Sequence, residues 1–325
     1  MAEPVLDGAD WPLFGWSDDI RPALGAAFAA GRPVVLATLY RVEGSAPRGP
    51  GAQMLFDGTR ASGYFSGDCI EADVARHAAE VLQSGEARVL HYGMGSPWID
   101  IRLRCGGALH VLAERIAPTG AAAHALLEHA AQRRQCRWVS DGTAQSVVEG
   151  AGALLTVTDG PPTISRRFDP PRRLIVSGGD PGALALARLA GEAQFETILV
   201  RPDGPEAPPP FPVSRYIRGE VAAVLAALDV DRWTAFVGAT HEDHHDLAAC
   251  LLALRRDAAW TGMIGAKSRA PGRLTALKAA GASQDELARL HLSPGIPGLG
   301  KAPWEVATGI LAEVMQAMNP ARERA

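Results

Sequence analysis

Short apolar runs alternate with helical patterns through the second half of the chain, and this alternation restricts the fold more than any other feature of the sequence. Parallel strands need long crossover connections, and a helix is the usual one. The pattern therefore predicts a doubly wound parallel sheet. Its predicted strands lie at 174–176, 197–200, 235–238 and 262–264, and its predicted helices at 181–193, 221–228 and 246–255.

The segment DGPPTISRRFDPPRR, residues 159–173, separates this half from the residues before it. Its four prolines cannot continue a helix or an interior strand. We therefore predict two domains, residues 1–160 and 174–325, joined by a linker at 161–173. Helical and strand patterns are mixed in the first domain, which predicts an α+β fold with a partly antiparallel sheet.

Composition and charge exclude several classes of protein. The 325 residues include 32 lysines and arginines against 36 acidic residues, so no overall positive charge attracts nucleic acid. The first residues lack the pattern of a secretion signal, and no apolar run reaches the roughly 18 residues of a membrane span. The cysteines lack the CxxC spacing of zinc ribbons, which favours reduced thiols. We expect a cytoplasmic protein that binds neither nucleic acid nor membranes.

Two glycine-rich stretches at 44–53 and 63–71 follow predicted strands, where backbone N–H groups can converge on an anion. A helix predicted at 69–83 places Cys69 in its first turn, where the helix dipole favours the thiolate, a nucleophile and soft-metal ligand. A small buried residue at a helix start fits Cys69 equally, and Arg48 fits a solvated charge as well as a phosphate clamp. The candidate cofactor-binding residues are Arg48, Gln53, Gly67, Cys69 and Glu71, with Cys69 also a candidate metal ligand.

A second cysteine stands at the end of the predicted strand IDIRLRCGG. Cys105 is followed by Gly106 and Gly107, and adjacent glycines at a strand end allow either the close approach of a ligand or a bulge. Together with Cys69 these residues predict two thiols facing one cleft. We therefore count all three as candidate cofactor-binding residues.

The turn SGGDPG between a predicted strand and helix contains Gly178 and Gly179, which are candidate cofactor-binding positions. A dinucleotide fingerprint needs glycine where Asp180 stands, because the backbone must approach the pyrophosphate there. Asp180 and Pro181 instead suit the N-cap and first position of a helix. Arg201 stands near the position of the acidic residue that would bind a ribose. An arginine there tolerates a phosphate better than a ribose diol.

Two further strand ends carry polar residues. The segment THEDHHD, residues 240–246, has the density of imidazoles and carboxylates of a metal site, and it also fits a solvated loop in which Asp246 is a helix N-cap. The segment GMIGAKSRAPGR places Lys267, Arg269 and Arg273 after a strand, where cations neutralise a phosphate or are simply solvated. Lys267 and Arg269 are the candidate binding residues here.

In this order along the chain, the motifs resemble those of the XdhC/CoxI family of accessory proteins for molybdenum hydroxylases. The motifs of the first half are the more specific, because Rossmann-like turns occur in many unrelated proteins. The segments that carry the resemblance are GSAPRGPGAQML, SGDCIEADV, GSPWIDIRLRCGG, LIVSGGDPGALALARLA, residues 240–246, GMIGAKSR and APWEVATGILAEV.

The resemblance implies an XdhC/CoxI-type domain followed by a Rossmann-like domain, in a factor that acts through partners rather than by turnover. The family's Gly-Cys-Val-Glu segment falls on residues 68–71, with Asp68 in place of the glycine, and its Cys-Gly-Gly segment falls on Cys105-Gly106-Gly107. Asp180 replaces the second glycine of the family's Gly-Ala-Gly turn. These two departures bear on the pose of the cofactor and on any nucleotide role of the second domain.

The implied function is transient binding of the molybdenum cofactor, as molybdopterin or its cytosine dinucleotide form. The factor protects the cofactor while its terminal oxo ligand is exchanged for sulfido, and it assists insertion into an apo molybdenum hydroxylase of the xanthine dehydrogenase type. A cysteine desulfurase is the implied second partner, and a homodimer is left open. The alternatives are an NAD(P)-dependent oxidoreductase and a sulfur-transfer protein with Cys69 as nucleophile.

Overall fold

The computed structural model describes residues 15, 17–67, 69–96, 103, 106–158 and 161–319. The chain divides into two units, Met1–Pro170 and Pro171–Ala325. The first contains antiparallel sheets and the second a parallel sheet with helices between its strands, which confirms the predicted pair of α+β and doubly wound folds. Within the described ranges, no helix is long and apolar enough to cross a membrane.

The first unit consists of three helices and nine strands among its described residues. The predicted strand at 99–103 lies outside the described residues except for Leu103. In chain order the elements are α1 (Arg21–Ala29), β1 (Val34–Glu43), β2 (Gln53–Phe56), β3 (Ala61–Ser62), α2 (Glu71–Ser84), β4 (Arg88–Gly93), β5 (Ala108–Ile116), α3 (Ala121–Ala131), β6 (Cys136–Ser140), β7 (Gln145–Glu149), β8 (Leu155–Val157) and β9 (Ile164–Phe168).

Five of these strands form an antiparallel sheet in the order β3-β2-β1-β5-β4. Successive side chains of a strand point to opposite faces, and in β1 both faces are apolar. Val35 and Ala37 join a core with α2, whereas Val34 and Leu36 join a core with α1, α3 and Trp138 of β6. The sheet is therefore covered on both sides, which explains the unbroken apolar run at the start of β1.

Antiparallel pairing brings three loops to the same end of this sheet. β1, β3 and β4 end there, while β2 and β5 begin there. The described residues that follow β1, β3 and β4 at this end include the candidates Arg48, Gly67, Cys69, Gly106 and Gly107. We call this end of the sheet the loop end.

The segment predicted as a linker at 161–173 contains an interior strand. β9 lies between β6 and β8 in an antiparallel sheet of order β7-β6-β9-β8. Phe168 is buried, and the guanidinium carbon of Arg166 lies 4.0 Å from the centre of its ring. The prolines stand on either side of β9, so the composition that predicts a linker marks the ends of a strand.

The second unit alternates strands and helices as its sequence predicts. The sequence pattern does not predict β12, α7 or β15. In chain order the elements are β10 (Arg173–Gly178), α4 (Pro181–Glu192), β11 (Glu196–Arg201), β12 (Arg215–Arg218), α5 (Val221–Ala227), β13 (Thr234–Ala239), α6 (Asp243–Arg255), β14 (Trp260–Met263), α7 (Ala270–Ala279), α8 (Gln284–Ala288), β15 (Leu290–Leu292) and α9 (Pro303–Ala317).

The six strands of this unit are parallel, in the order β12-β11-β10-β13-β14-β15. α4 and α9 pack on one face of the sheet, and α5 and α6 pack on the other. Chain order reverses between β10 and β13, so their carboxyl ends form the switch point at which α/β sheets bind ligands. Ser283 and Glu286, whose three-residue spacing predicts a capping box, form one at the start of α8.

Two helix starts differ from the sequence prediction. α2 begins at Glu71, so Cys69 precedes the helix instead of lying in its first turn. α6 begins at Asp243 with Glu242 as its N-cap, so Asp246 is not the cap. Asp246 is fully buried, and it accepts hydrogen bonds from the Ser177 hydroxyl and the Thr240 N–H.

Gly107 is needed for the fold of the loop end, whereas Gly106 is not. A Cβ atom at Gly107 would lie 2.3 Å from the Ser45 carbonyl oxygen and 2.7 Å from that of Glu43, both backbone atoms. At Gly106, no atom of the part of the chain that the structure describes, other than its chain neighbours, lies within 4 Å of such a position. We expect Gly107→Ala to lower the free energy of unfolding by more than about 3 kcal/mol. Gly106→Ala, with a φ of +70°, should cost about 1–2 kcal/mol from backbone strain alone. Urea unfolding measures the free energy of unfolding of both variants. Equal losses would contradict a structural requirement for glycine that is specific to position 107.

Candidate functional site

Cys69 is the accessible thiol among the three cysteines that the structure describes. Cys136 and Cys250 are buried in the cores, and burial raises the pKa of both thiols. Cys69 is half-buried at the loop end and packs against the core beneath α2. Cys105, the second predicted thiol, lies outside the described residues. Reactive chemistry of the described cysteines is therefore confined to Cys69.

The loop that carries Cys69 is held by the side chain of Glu71. One carboxylate oxygen, Oε1, accepts hydrogen bonds from the N–H groups of Phe65, Ser66 and Gly67 at 2.9, 2.6 and 3.0 Å. The other, Oε2, accepts from the Ser66 hydroxyl at 2.6 Å. The Ser66 hydroxyl oxygen in turn accepts from the N–H of Cys69 at 3.0 Å. Glu71 therefore fixes the backbone on which Cys69 stands.

The charge of Glu71 is stabilised by these same contacts. Burial alone would raise the pKa of the Glu71 carboxyl, but the hydrogen bonds from the Ser66 hydroxyl and from the N–H groups of Ser66 and Phe65 outweigh burial and lower it. The carboxylate is thus ionised, and both of its oxygens accept hydrogen bonds from the loop. These contacts give Glu71 a structural role, which is to hold the loop in shape. The sequence predicts a contact with the cofactor instead.

This arrangement changes the interpretation of the glycine-rich stretch 63–71. The sequence predicts that N–H groups of this stretch face the anion of a ligand, but the carboxylate of Glu71 already accepts those of residues 65–67. A loop that binds the anion of a ligand through its backbone needs N–H groups that have no other acceptor. These three N–H groups are therefore not free to bind the anion of a ligand.

Arg48 joins two of the loops at this end. Its guanidinium lies over the ring of Tyr64, 4.7 Å from the ring centre, and forms an ion pair with Asp18. Cation–π contact and ion pairing both hold the side chain in place. Arg48 is thus neither a freely solvated charge nor an unoccupied clamp, and it fixes the loop 44–52 against the loop that carries Cys69.

The remaining candidates at the loop end divide into buried and open positions. Gln53 is 3% exposed, and its amide donates a hydrogen bond of 3.0 Å to the hydroxyl of Thr38. Gly107 is buried against the backbone of Ser45. Gly67 and Gly106, by contrast, are exposed and have φ values of +75° and +70°, and among the described residues, chain neighbours aside, no atom lies within 4 Å of a Cβ position at either. A ligand can approach the backbone at Gly67 and Gly106 but not at Gly107.

The second unit has a separate cleft at its switch point, with a volume of about 240 Å³. We call it the switch cleft. Gly178 allows close packing of the chain on itself, because a Cβ atom there would lie 2.2 Å from the Ala239 carbonyl oxygen. A Cβ atom at Gly179 would lie 2.3 Å from the guanidinium carbon of Arg201, so this arginine lies directly on the turn. The residues that line the cleft are Gly178, Gly179, Asp180, Arg201, Pro202, Asp203, Gly204, Ala239, Thr240, His241, Glu242 and His245.

Asp180 caps α4 as its sequence predicts. Its Oδ1 atom accepts a hydrogen bond of 2.7 Å from the Ala183 N–H, and its Oδ2 atom lies 2.8 Å from the Nε2 atom of His241. His241 has a φ of +65°, which is uncommon for a residue other than glycine. The positive end of α4, where a pyrophosphate would bind, is therefore occupied by a carboxylate of the protein.

The two candidate cations after β14 lie in different surroundings. Lys267 is exposed at the start of a 3₁₀ turn. Arg269 forms an ion pair of 2.9 Å with Asp243 and lies within 3.4 Å of the His241 carbonyl oxygen. Arg273 is buried and also pairs with Asp243, at 3.0 Å. The structure brings neither Lys267 nor Arg269 into the lining of the switch cleft.

Sequence reasoning missed Ser66 and Tyr64, and it named His241 only within the segment 240–246, without its contact to Asp180. A serine followed by a glutamate at the start of an apolar helix is the general form of a capping box. Ser66 and Glu71 have this order, but they are five positions apart instead of three, so the pattern does not identify their contact. Tyr64 and His241 contact residues that are 16 and 61 positions away in the sequence. No local pattern identifies such contacts.

Comparison with protein families divides the chain as the fold does. Residues 27–93 match the XdhC and CoxI family, and residues 174–314 match the XdhC Rossmann domain. The first range holds Cys69 and Glu71, and the second holds nearly all of the parallel sheet.

Similar proteins cover nearly the whole chain. It is 30% identical over 306 residues to the molybdenum cofactor insertion chaperone PaoD of Escherichia coli strain K12, which covers 92% of this chain and 88% of that protein. It is 24% identical over 318 residues to a probable xanthine dehydrogenase subunit of Bacillus subtilis strain 168, over 87% of this chain and 92% of that protein.

The fold is shared with a crystal structure from Bacillus halodurans, that of a protein named as a xanthine dehydrogenase. The TM-score is 0.70 at 22% identity, over 94% of this chain and 96% of that one. This likeness concerns the fold alone. The two family matches and the identity to the Escherichia coli chaperone show that the chain belongs to the XdhC and CoxI family.

Proposed function

We propose that the protein is a maturation factor that binds the molybdenum cofactor transiently and delivers it to an apo molybdenum hydroxylase of the xanthine dehydrogenase type. Membership of the family and the name of the Escherichia coli relative support this role. Protection of the cofactor during sulfuration, with a cysteine desulfurase as second partner in the cytoplasm, belongs to the same proposal.

The single observation that carries the proposal is the accessible thiol of Cys69 on a loop of fixed shape. The cofactor presents a soft metal, and thiolates are the protein ligands that suit soft metals. Glu71 and Ser66 hold the backbone at Cys69, and preorganised ligands bind at a lower entropic cost. Gly67, two positions before Cys69, has an exposed backbone that a ligand of the thiol can approach.

The phosphate of the cofactor needs donors other than the N–H groups of residues 65–67, which Glu71 accepts. Arg48 is the candidate at the loop end, because it already lies against Tyr64 and requires only exchange of its Asp18 partner. Asp18 is largely exposed, with 60% of its side chain accessible against 24% of Arg48, so the carboxylate can leave for water while the guanidinium stays in place against Tyr64. Gln53, which is buried, supports the loop instead of contacting the ligand in this proposal.

The sulfur-transfer alternative rests on the same thiol. In that mechanism the Cys69 thiolate would accept sulfur from a desulfurase persulfide and carry it as its own persulfide, with the desulfurase thiolate as leaving group. Incubation with a desulfurase and cysteine, followed by intact-mass analysis, separates the two functions. One added sulfur atom that is absent from Cys69→Ala supports transfer, and an unmodified chain supports cofactor binding alone.

We expect Cys69→Ala to weaken cofactor binding at least about tenfold, which corresponds to about 1.4 kcal/mol. Co-expression with the molybdenum hydroxylase client should then give client with less molybdenum and less cyanolysable sulfur than the native chain gives. Gln83→Ala, an exposed substitution at the far end of α2, is the matched control. A client fully loaded in the presence of Cys69→Ala, or in the absence of the chain, would contradict the proposed function.

We expect Glu71→Gln to cost about 1–3 kcal/mol, because the amide nitrogen faces N–H donors that lose their acceptor. Since the pKa of Glu71 is lowered in the folded protein from its ordinary value of 4.5, the stability that its charge contributes is present above pH 4.5 and lost as the pH falls through the lowered value. The difference in unfolding free energy between native protein and variant should therefore shrink in acid. A pH-independent difference, or an equal one for the exposed Glu86→Gln, would contradict this role.

The oxidoreductase alternative is tested at Asp180. We expect the native protein to bind NAD weakly or not at all, because Asp180 already occupies the start of α4. Asp180→Gly should raise affinity for NAD, NADP or CMP in calorimetry, and it should cost only a few tenths of a kcal/mol in helix capping. Asp203→Ala removes an acid from the same cleft without freeing the helix and is the control. Tight NAD binding by the native protein would revive the oxidoreductase.

A further inference from the structure

Three side chains at the mouth of the switch cleft bring metal-binding atoms together. One carboxylate oxygen of Glu242 and one ring nitrogen each of His244 and His245 all lie within 4.8 Å of one another. Ligands of a tetrahedral zinc ion, at about 2.0–2.1 Å from the metal, stand roughly 3.4 Å apart. Rotation of exposed side chains supplies this difference, because 61% of Glu242 and 69% of His244 are accessible.

The two histidines converge in a way that helical geometry alone does not produce. Adjacent positions of a helix point in different directions, yet the ring centres of His244 and His245 are 3.9 Å apart. Both lie in the first turn of α6, directly after the N-cap Glu242. The Nε2 atom of His244 lies 3.7 Å from a carboxylate oxygen of Glu242. The start of α6 thus holds the three donors on one side.

A carboxylate stands behind one of these histidines. The Nδ1 atom of His245 is buried, makes no hydrogen bond within the described part of the chain, and lies 3.6 Å from an Oε1 atom of Glu220. Histidines that bind metals commonly direct their other ring nitrogen at a carboxylate, which orients the ring. Glu220 is itself fixed as the N-cap of α5, where it accepts from the Ala223 N–H at 2.8 Å.

The charges around the cluster favour a cation in spite of its position. A helix start repels cations, but Glu242, Glu220 and Asp180 are acidic groups in or beside the cleft. Asp243 lies in the same turn, but its Oδ1 atom pairs with both Arg269 and Arg273, and its donor atoms are not among those that converge. The donor set therefore consists of Glu242, His244 and His245.

We propose that Glu242, His244 and His245 bind a divalent transition-metal ion of the Zn²⁺ type, with Glu220 as a positioning residue behind His245. Two imidazoles and one carboxylate leave a fourth position for a water molecule or an anionic ligand. Arg201 lines the same cleft on the glycine turn, so an anion bound to the metal meets a guanidinium as well. The site is independent of the function proposed for Cys69.

The test is titration of the full chain, freed of metal by a chelator, with Co²⁺, followed by visible absorption and by competition with Zn²⁺. We expect one Co²⁺ per chain, without the intense near-ultraviolet band of a thiolate ligand. Glu242→Gln and His244→Ala should each weaken binding at least about tenfold, and Glu220→Gln should weaken it by a similar factor. Because Glu242 and His244 are exposed, the first two variants retain the fold, which circular dichroism checks.

His291→Ala and Cys69→Ala are the controls. His291 is a half-exposed histidine of the same unit that stacks on Trp260, and Cys69 is the accessible thiol of the other unit. Both variants should bind Co²⁺ as the native chain does. No stoichiometric binding, unchanged affinity in Glu242→Gln and His244→Ala, or loss of binding in either control would overturn the proposal.

Discussion

The hydrogen bonds between the Glu71 carboxylate and the backbone of residues 65–67 determine the shape of the candidate site. Phe65 and Ile70 anchor the two sides of the loop in the core, but the backbone between them includes Gly67, which adds conformational freedom. A buried carboxylate with several N–H donors offsets the cost of its own burial and of ordering the loop. The position of Cys69 is therefore set by a residue that follows it in the sequence, at the first turn of α2.

Much of the fold follows from local sequence patterns. The doubly wound sheet is predictable because its four central strands, β10, β11, β13 and β14, and the helices α4, α5 and α6 each have their own periodicity. The cap at Asp180 and the capping box at Ser283 and Glu286 are predictable for the same reason, since a cap involves residues three positions apart. Patterns of this range also indicate the mixed first unit and most of its strands.

The internal contacts of the candidate site do not follow from such patterns. Glycine-rich loops predict free N–H donors, but the sequence does not show that Glu71 turns back to accept them. Arg48 and Tyr64 meet because antiparallel pairing places their loops at one end of a sheet. His241 reaches Asp180 because two parallel strands are neighbours. These contacts depend on which strands are neighbours in the sheet, and local sequence patterns do not show this.

The interior position of β9 has a practical consequence for dividing the chain. A fragment that stops at residue 160 keeps β6 and β8 but removes the strand between them. Each would then present an unpaired edge of N–H and C=O groups, and such edges promote association between chains. Phe168 would also leave the core that it shares with Trp138. An isolated first unit that remains monodisperse therefore has to extend through Pro170.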